Sequence, residues 1–168
     1  MNVTSSVSVV QSHAIKKCPH VTQIHFLVET TEFNGKDHFA YCTSLSSVTL
    51  PSELRSIPAS MFLGCASMTR IEVPATVSSI GPNAFSECSS LGWLRIGPNV
   101  TQFGENCFMG IPENLTVQLG EGSSCFKEGG GHLYSANHET VIAFFGTGEI
   151  DAHQRLHVPG KGNHERHI

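Results

Sequence analysis

Four of the six cysteines recur at a nearly constant spacing, a pattern that first suggests disulfide or metal chemistry. Cys42, Cys65 and Cys88 are 23 residues apart, and Cys18 precedes Cys42 by 24. If these residues lay on stacked structural units, their side chains would point in the same direction, and parallel Cβ vectors suit a disulfide bond poorly. A free buried cysteine behaves as a small hydrophobic residue, so we expect structural thiols.

The other two cysteines differ from these four and from each other. Cys107 takes the position that Met61 and Ala84 hold in the preceding units, which predicts a place in the core. Cys125 follows the Gly/Ser-rich stretch "GEGSS". Such stretches usually form loops, so we expect Cys125 to be the one cysteine exposed to solvent.

The ten histidines are the second candidate for chemistry, and six of them fall between His132 and His167. The pairs His153/His157 and His164/His167 have separations that would suit a metal ion on a helix. The surrounding sequence instead indicates a strand followed by a Gly-rich polar tail, on which these side chains do not converge. The chain also lacks a Gly-x-Ser-x-Gly motif, a phosphate-binding glycine loop and a His-Glu-x-x-His motif. No metal site, no cofactor and no catalytic activity is therefore predicted.

The composition fits one globular domain with a hydrophobic core. The chain has 168 residues, of which 39% are hydrophobic and 14% charged, with a formal net charge of −4. The charge is too low for a disordered chain and has the wrong sign for a nucleic-acid-binding protein. No apolar stretch approaches the roughly 20 residues that span a bilayer, and no basic start leads into an apolar signal segment. We therefore expect no nucleic-acid partner and no membrane span, and the sequence leaves the cellular location open.

An internal repeat runs through most of the chain and must position these residues. A phenylalanine stands three residues before Cys42, Cys65, Cys88 and Ile111, which takes the next such position; these are Phe39, Phe62, Phe85 and Phe108. An apolar-x-x-apolar-x-apolar run follows that position in each unit, and its alternating part ends like a short strand at Pro51, Pro74 or Gly97. One unit is too small to bury its apolar face alone, whereas stacked units bury a continuous core. The period therefore predicts a solenoid with parallel strands.

Two segments carry a resemblance to a known family. "LSSVTLPSELRSIPASMFLGC" and "MTRIEVPATVSSIGPNAFSEC" resemble the BspA-like leucine-rich repeat, a 23-residue class found in surface proteins of bacteria and parasitic protists. The resemblance covers Val3 to Phe126 and implies a repeat solenoid of α/β type dominated by short parallel strands. Familiar leucine-rich repeats carry an asparagine ladder after the strand, whereas the equivalent positions here are Glu53, Thr76 and Asn99.

The resemblance also divides the chain and implies a setting for it. Residues 1–128 are expected to form the solenoid, with about five to six coils. Residues 129–159 resemble the β-hairpin insert of such proteins followed by the start of a further coil, and residues 160–168 form a polar tail. Members of the family are associated with adhesion and with binding to host or matrix proteins, which implies a location at the cell surface or outside the cell.

The outward side of the strand ladder, here called the strand face, is the concave surface that such solenoids use for binding. Period 2 along each strand and the repeat between strands bring together Thr49, Arg70, Glu72, Trp93, Arg95 and Gln118. Trp93 flanked by arginines has the composition of an interface hot spot. The alternative is that Trp93 only covers its neighbours and that the charges form a solvated ladder.

These observations predict a non-enzymatic module that binds a protein, or alternatively a glycan, through the strand face. The competing interpretation is a structural or self-associating piece of a longer repeat array. Neither end carries a recognisable polar cap, and Val3, Val7 and Val10 would leave the apolar edge of the first coil open for self-association.

Overall fold

Short strands and turns make up the part of the chain that the structure describes. The computed structural model describes residues 2–3, 9–26, 32–128, 132–134 and 141–144. In chain order the strands are β1 (Asn2–Val3), β2 (Val9–Gln11), β3 (Gln23–Phe26), β4 (Glu32–Asn34), β5 (Ser47–Thr49), β6 (Ser56–Ile57), β7 (Arg70–Glu72), β8 (Ser79–Ile80), β9 (Trp93–Ile96), β10 (Gln102–Phe103), β11 (Thr116–Leu119), β12 (Phe126–Glu128), β13 (His132–Tyr134) and β14 (Val141–Phe144).

The strands of successive coils pair in parallel and build two ladders along the molecule. The first ladder contains β1, β3 and β5 and then β7, β9 and β11, and the second contains β2 and β4 and then β6, β8 and β10. The register follows the repeat, since Leu94 of β9 lies opposite Ile71 of β7 and Val117 of β11. The predicted solenoid of parallel strands is therefore confirmed.

Each ladder has one interruption among the described strands, and both lie beside the coil that contains β5 and β6. The first ladder is interrupted after this coil, and the second ladder is interrupted before it. In the described residues no ladder pairing joins β5 to β7 or β4 to β6. The coil therefore pairs with the preceding coil through β5 and with the following coil through β6. A groove lies on the strand face between β5 and β7, where the first ladder is interrupted.

A column of stacked phenylalanines forms one wall of the core. The ring centroids of Phe39 and Phe62, and those of Phe62 and Phe85, lie 5.5 Å apart. The next pair, Phe85 and Phe108, lies 5.8 Å apart. These spacings fall in the range of favourable aromatic pairs, so each ring stabilises its own coil and the coils beside it. The column predicted from the period is confirmed.

The cysteine column also belongs to the core and consists of thiols. The Sγ atoms of Cys42, Cys65 and Cys88 donate hydrogen bonds to backbone carbonyl oxygens 26 or 27 residues earlier, at 2.8 to 3.2 Å. Burial raises the pKa of Cys88 and of Cys107 to about 12, because a thiolate is poorly solvated in the core. The expectation of structural thiols is confirmed for these four buried residues.

The expectation that Cys125 is exposed is wrong. Its side chain is buried, and its Sγ donates to the carbonyl oxygen of Val100 at 3.4 Å. The last coil is shorter than the others but still stacks its cysteine on the core. Cys18, which is half-buried, is the most accessible cysteine in the described part of the chain.

The expected open edge of the first coil is also partly wrong. Val10 is buried because β2 pairs with β4 and points this residue into the core. Its neighbour Val9 points outward and is 37% exposed. The side chain of Val3 and the whole of Val7 lie outside the described residues.

Turns rather than helices close the coils: the described residues contain no helix, so the α/β component of the predicted fold is not found there. Two turn positions have a positive φ in successive coils, the first held by His13, Asp37, Ser60, Asn83 and Asn106, the second by Lys17, Tyr41, Gly64, Glu87 and Gly110. A residue in the left-handed region cannot continue an α-helix, so its recurrence stops the helical path after one turn.

Polar side chains connect neighbouring coils after the strands. Thr76 Oγ1 lies 2.6 Å from the carbonyl oxygen of Ser52 and 2.8 Å from that of Leu54, and it donates at this site. Asn99 Nδ2 donates to the carbonyl oxygen of Ala75 at 2.7 Å. Two of the three positions equivalent to the familiar asparagine ladder, Thr76 and Asn99, therefore make hydrogen bonds between coils.

Antiparallel pairing replaces parallel pairing after β11. Strand β12 pairs with β13, and β13 pairs with β14. The connection between β13 and β14, residues 135–140, lies outside the described residues, as do residues 145–168. The predicted hairpin insert at 129–159 and the polar tail at 160–168 therefore stay predictions.

Candidate binding site on the strand face

The outward-facing residues of β7, β9 and β11 form two columns on the strand face. The first column contains Arg70, Trp93 and Thr116, and the second contains Glu72, Arg95 and Gln118. Leu94 and Ile96, which alternate with Trp93 and Arg95 along β9, are fully buried. The spacing in the sequence therefore predicted correctly which of these side chains lie side by side.

A cation–π contact joins the two central residues of the first column. The guanidinium carbon of Arg70 lies 5.1 Å from the centroid of the Trp93 ring. Arg70 is exposed and Trp93 is half-buried. Because the face of an indole ring is electron-rich, such a contact stabilises an exposed pair by about 0.5–1 kcal/mol. The contact restricts the conformations of both side chains, and both remain accessible to a ligand.

An ion pair joins the two central residues of the second column. Arg95 Nη1 donates to Glu72 Oε1 across β7 and β9. The side chains are 42% and 52% exposed, so water weakens the attraction and the pair contributes at most about 1 kcal/mol. Its main consequence is electrostatic, because the two charges largely compensate each other.

The two remaining predicted site residues flank this group. Thr49 of β5 shares a hydrogen bond with His25 of β3, with Thr49 Oγ1 and His25 Nδ1 3.1 Å apart. Gln118 of β11 is exposed and lies opposite Arg95. Polar groups therefore border the charged and aromatic residues on both sides.

The groove between β5 and β7 adjoins these side chains and is absent from the sequence-based prediction. It has a volume of about 400 Å³ and is lined by Ser47, Val48, Thr49, Leu50, Ser52, Arg70, Ile71, Glu72 and Pro74. Counting residues along a repeat assumes equal coils, so it does not reveal where a ladder breaks. The spacing gives no signal of the groove, because Ser47 of β5 and Arg70 of β7 are 23 residues apart, as are the paired residues Arg70 and Trp93 of β7 and β9.

Neither a metal site nor a membrane-spanning helix is found among the described residues. No three of their His, Cys, Asp and Glu side chains lie close enough together to hold a metal ion. No helix among them is long and apolar enough to cross a membrane. The histidine pairs His153/His157 and His164/His167 lie outside the described residues. The strand face combines charged, aromatic and hydroxyl groups, which suit noncovalent recognition.

Solved structures of leucine-rich repeat proteins are similar to this chain in fold. A leucine-rich cell surface protein from Faecalibacterium prausnitzii matches with a TM-score of 0.66 and 22% identity, over 71% of this chain and 31% of that protein. A leucine-rich repeat protein from T. pallidum matches with a TM-score of 0.61 and 25% identity, over 68% and 63%. One from Bacteroides ovatus matches with a TM-score of 0.53 and 17% identity, over 71% and 41%. This chain therefore spans less than two thirds of the length of each.

A family model matches most of the chain. No curated protein sequence matches significantly. The model of the BspA type leucine rich repeat region matches residues 1–127 in 6 copies. The matched range contains both parallel ladders and the phenylalanine and cysteine columns. This chain belongs to the BspA-type leucine-rich repeat family.

Proposed function

We propose that this protein is a non-enzymatic recognition module that binds a protein partner through the strand face around Trp93. The observation that carries the proposal is the ordered group formed by Arg70 on Trp93 and by Arg95 with Glu72 on adjacent strands. Tryptophan supplies a large apolar area with little entropy to lose, and arginine supplies directed donors. The fold supports the proposal, because stacked repeats present extended binding surfaces.

The proposal extends to adhesion or recognition at the cell surface. One of the structures similar to this chain is described as a cell surface protein. The family resemblance points in the same direction. Surface and host extracts are therefore the first materials in which to look for the partner.

Substitution of Trp93 tests the site. Once a partner has been captured and purified, Trp93→Ala should weaken its binding by about 2 kcal/mol, roughly 30-fold, as measured by calorimetry. Met109→Ala is the matched control, because Met109 is 53% exposed and lies away from the strand face; it should bind like wild type. Equal affinity of Trp93→Ala and wild type would show that the site is wrong, and the region around β13 and β14 would be tested next.

A second proposal is self-association through the first coil. Val9 is exposed on β2, and in the described residues β2 pairs only with β4. Open strand edges with apolar residues promote association. Sedimentation at rising concentration should then show dimers or larger species, fewer of them with Val9→Lys. A strictly monomeric wild type would contradict this proposal.

A further inference from the structure

The charges around Trp93 do not cancel. Glu72 and Arg95 form an ion pair, so they contribute little net charge. Among the described residues no carboxylate lies within ion-pair distance of Arg70. The group therefore carries one uncompensated positive charge, located at the Arg70 guanidinium.

Arg70 is positioned to make directed hydrogen bonds. Its guanidinium lies over the Trp93 ring, which limits the conformations of a long side chain and lowers the entropy lost when a ligand binds. The contact with the indole ring provides no oxygen acceptor, and no carboxylate of the described residues pairs with Arg70, so its N–H groups are available to a ligand. Their planar fork matches the two oxygens of a carboxylate.

The groove beside Arg70 supplies further contacts to such a group. Arg70 lines one wall, and the hydroxyl-bearing Ser47 and Thr49 line the other. The Ser47 hydroxyl can donate to an anion, whereas the Thr49 hydroxyl already shares a hydrogen bond with His25. Because Glu72 is paired with Arg95, the site supplies one uncompensated positive charge, and a ligand with several negative charges would leave all but one of them unbalanced. The site therefore fits a single carboxylate better than a phosphate dianion or a polysulfated chain.

We infer that the protein partner presents a glutamate or aspartate side chain to Arg70, with a neighbouring apolar residue packed on Trp93. The inference rests on the proposed function and adds the chemistry of the partner to it. A protein segment is favoured because one carboxylate beside one apolar side chain is a common pair along a peptide. Arg70 then determines specificity, whereas Trp93 supplies contact area.

Selection from a phage library of random peptides, with the full chain immobilised, tests the inference. Wild type should enrich peptides in which Asp or Glu stands beside an aliphatic or aromatic residue. Arg70→Gln should weaken a selected peptide about tenfold, because a charge-assisted hydrogen bond is lost. Arg55→Gln is the matched control: it removes the same charge from a side chain that is 79% exposed and lies outside the strand face, so the affinity should stay within about twofold. The urea midpoint of Arg55→Gln should equal that of wild type, and that of Arg70→Gln should fall only slightly, because the cation–π contact with Trp93 is lost.

The outcomes separate this inference from the proposed function. Selected peptides without an acidic preference would overturn the inference alone, as would a selected peptide that loses affinity in Trp93→Ala but keeps it in Arg70→Gln. A peptide that binds both variants like wild type contradicts the proposed site as well. Binding to sialylated glycans, without enrichment of any peptide, would overturn the inference by making the ligand a glycan. No enrichment of peptides and no glycan binding would contradict both proposals.

Discussion

Adjacent residues of β9 lie in opposite environments. Leu94 is fully buried between Ile71 and Val117 of the neighbouring strands, and all three are aliphatic. Trp93 is half-exposed, and its neighbour on β7 is Arg70, a residue of different size and charge. The inward side must repeat because every coil packs on the next, whereas the strand face has no such constraint. The difference between the two sides teaches that packing accounts for the inner residues and that recognition is best sought among the outer ones.

The largest expected effect comes from comparing two truncations of aromatic residues, one in the core and one on the strand face. Phe85→Ala should lower the free energy of unfolding by about 3–5 kcal/mol, because it removes a fully buried ring from the stacked column. Trp93→Ala should lower it by about 1 kcal/mol or less, because it removes a half-exposed ring and a surface cation–π contact. Urea unfolding of both variants measures the contrast. Similar losses in the two variants would mean that the inner and outer sides are not energetically distinct.

The inner side could be predicted from the sequence because its signal is repeated. Phe62 and Phe85 stand at the same point of successive units, and the stacked rings lie where the period puts them. Cys107 has no cysteine counterpart at its own position, but that position is apolar in the two preceding units, where it is Met61 and Ala84, and Cys107 is buried. A position shared by several coils averages out local irregularity, which is why counting works there.

The rest could not be predicted because it depends on departures from the repeat. Cys125 lies in a shortened coil after a Gly/Ser-rich stretch, and only the three-dimensional packing shows that its thiol reaches the Val100 carbonyl oxygen. The groove at Ser47 and Arg70 lies beside the coil of β5 and β6. Among the described strands, β5 of this coil pairs only with the preceding coil and β6 only with the following coil, so the first ladder is open between β5 and β7. Neither local composition nor the period reports such an offset.

The buried thiols predict a loss of stability at alkaline pH. The pKa of Cys88 and of Cys107 is raised to about 12 in the folded chain, compared with about 8.5 for an exposed thiol. Below about pH 8.5 both states are protonated and the full contribution is present. As the pH rises toward 12, the unfolded state loses its protons first, so each thiol lowers the unfolding free energy by about 1.4 kcal/mol per pH unit.

Urea unfolding at several pH values between about 8 and 10.5, followed in wild type and Cys88→Ala, isolates this effect. All other titratable groups are the same in both proteins, so the difference between the two slopes reports the Cys88 thiol. The variant should lose stability less steeply, by about 1.4 kcal/mol per pH unit. Parallel slopes would show that Cys88 ionises equally easily in the folded and unfolded states.

The smallest expected effect lies in the turns, where the same position is glycine in some coils and not in others. Glu87 has φ +60°, whereas Gly64 and Gly110 occupy the equivalent position at +69° and +71°. A left-handed conformation costs a residue with a side chain about 1–2 kcal/mol, and replacement by glycine removes this cost. Part of the stabilisation is lost again, because glycine has a larger conformational entropy in the unfolded state. Glu87→Gly should therefore stabilise the chain by a few tenths to about 1 kcal/mol, and Glu87→Ala, which keeps the Cβ atom, should not.

Gly64→Ala completes the comparison in the opposite direction. A Cβ atom there would lie 2.5 Å from Tyr41 Cδ1, on top of the unfavourable φ, so this variant should be destabilised. Thermal unfolding of the three variants at one protein concentration measures the series. If Glu87→Gly proves less stable than Glu87→Ala, the turn at Glu87 is not strained. The hydrogen bonds between coils would then explain why these turns accept residues other than glycine. One such bond runs from the Glu87 N–H to the Met109 carbonyl oxygen at 2.7 Å.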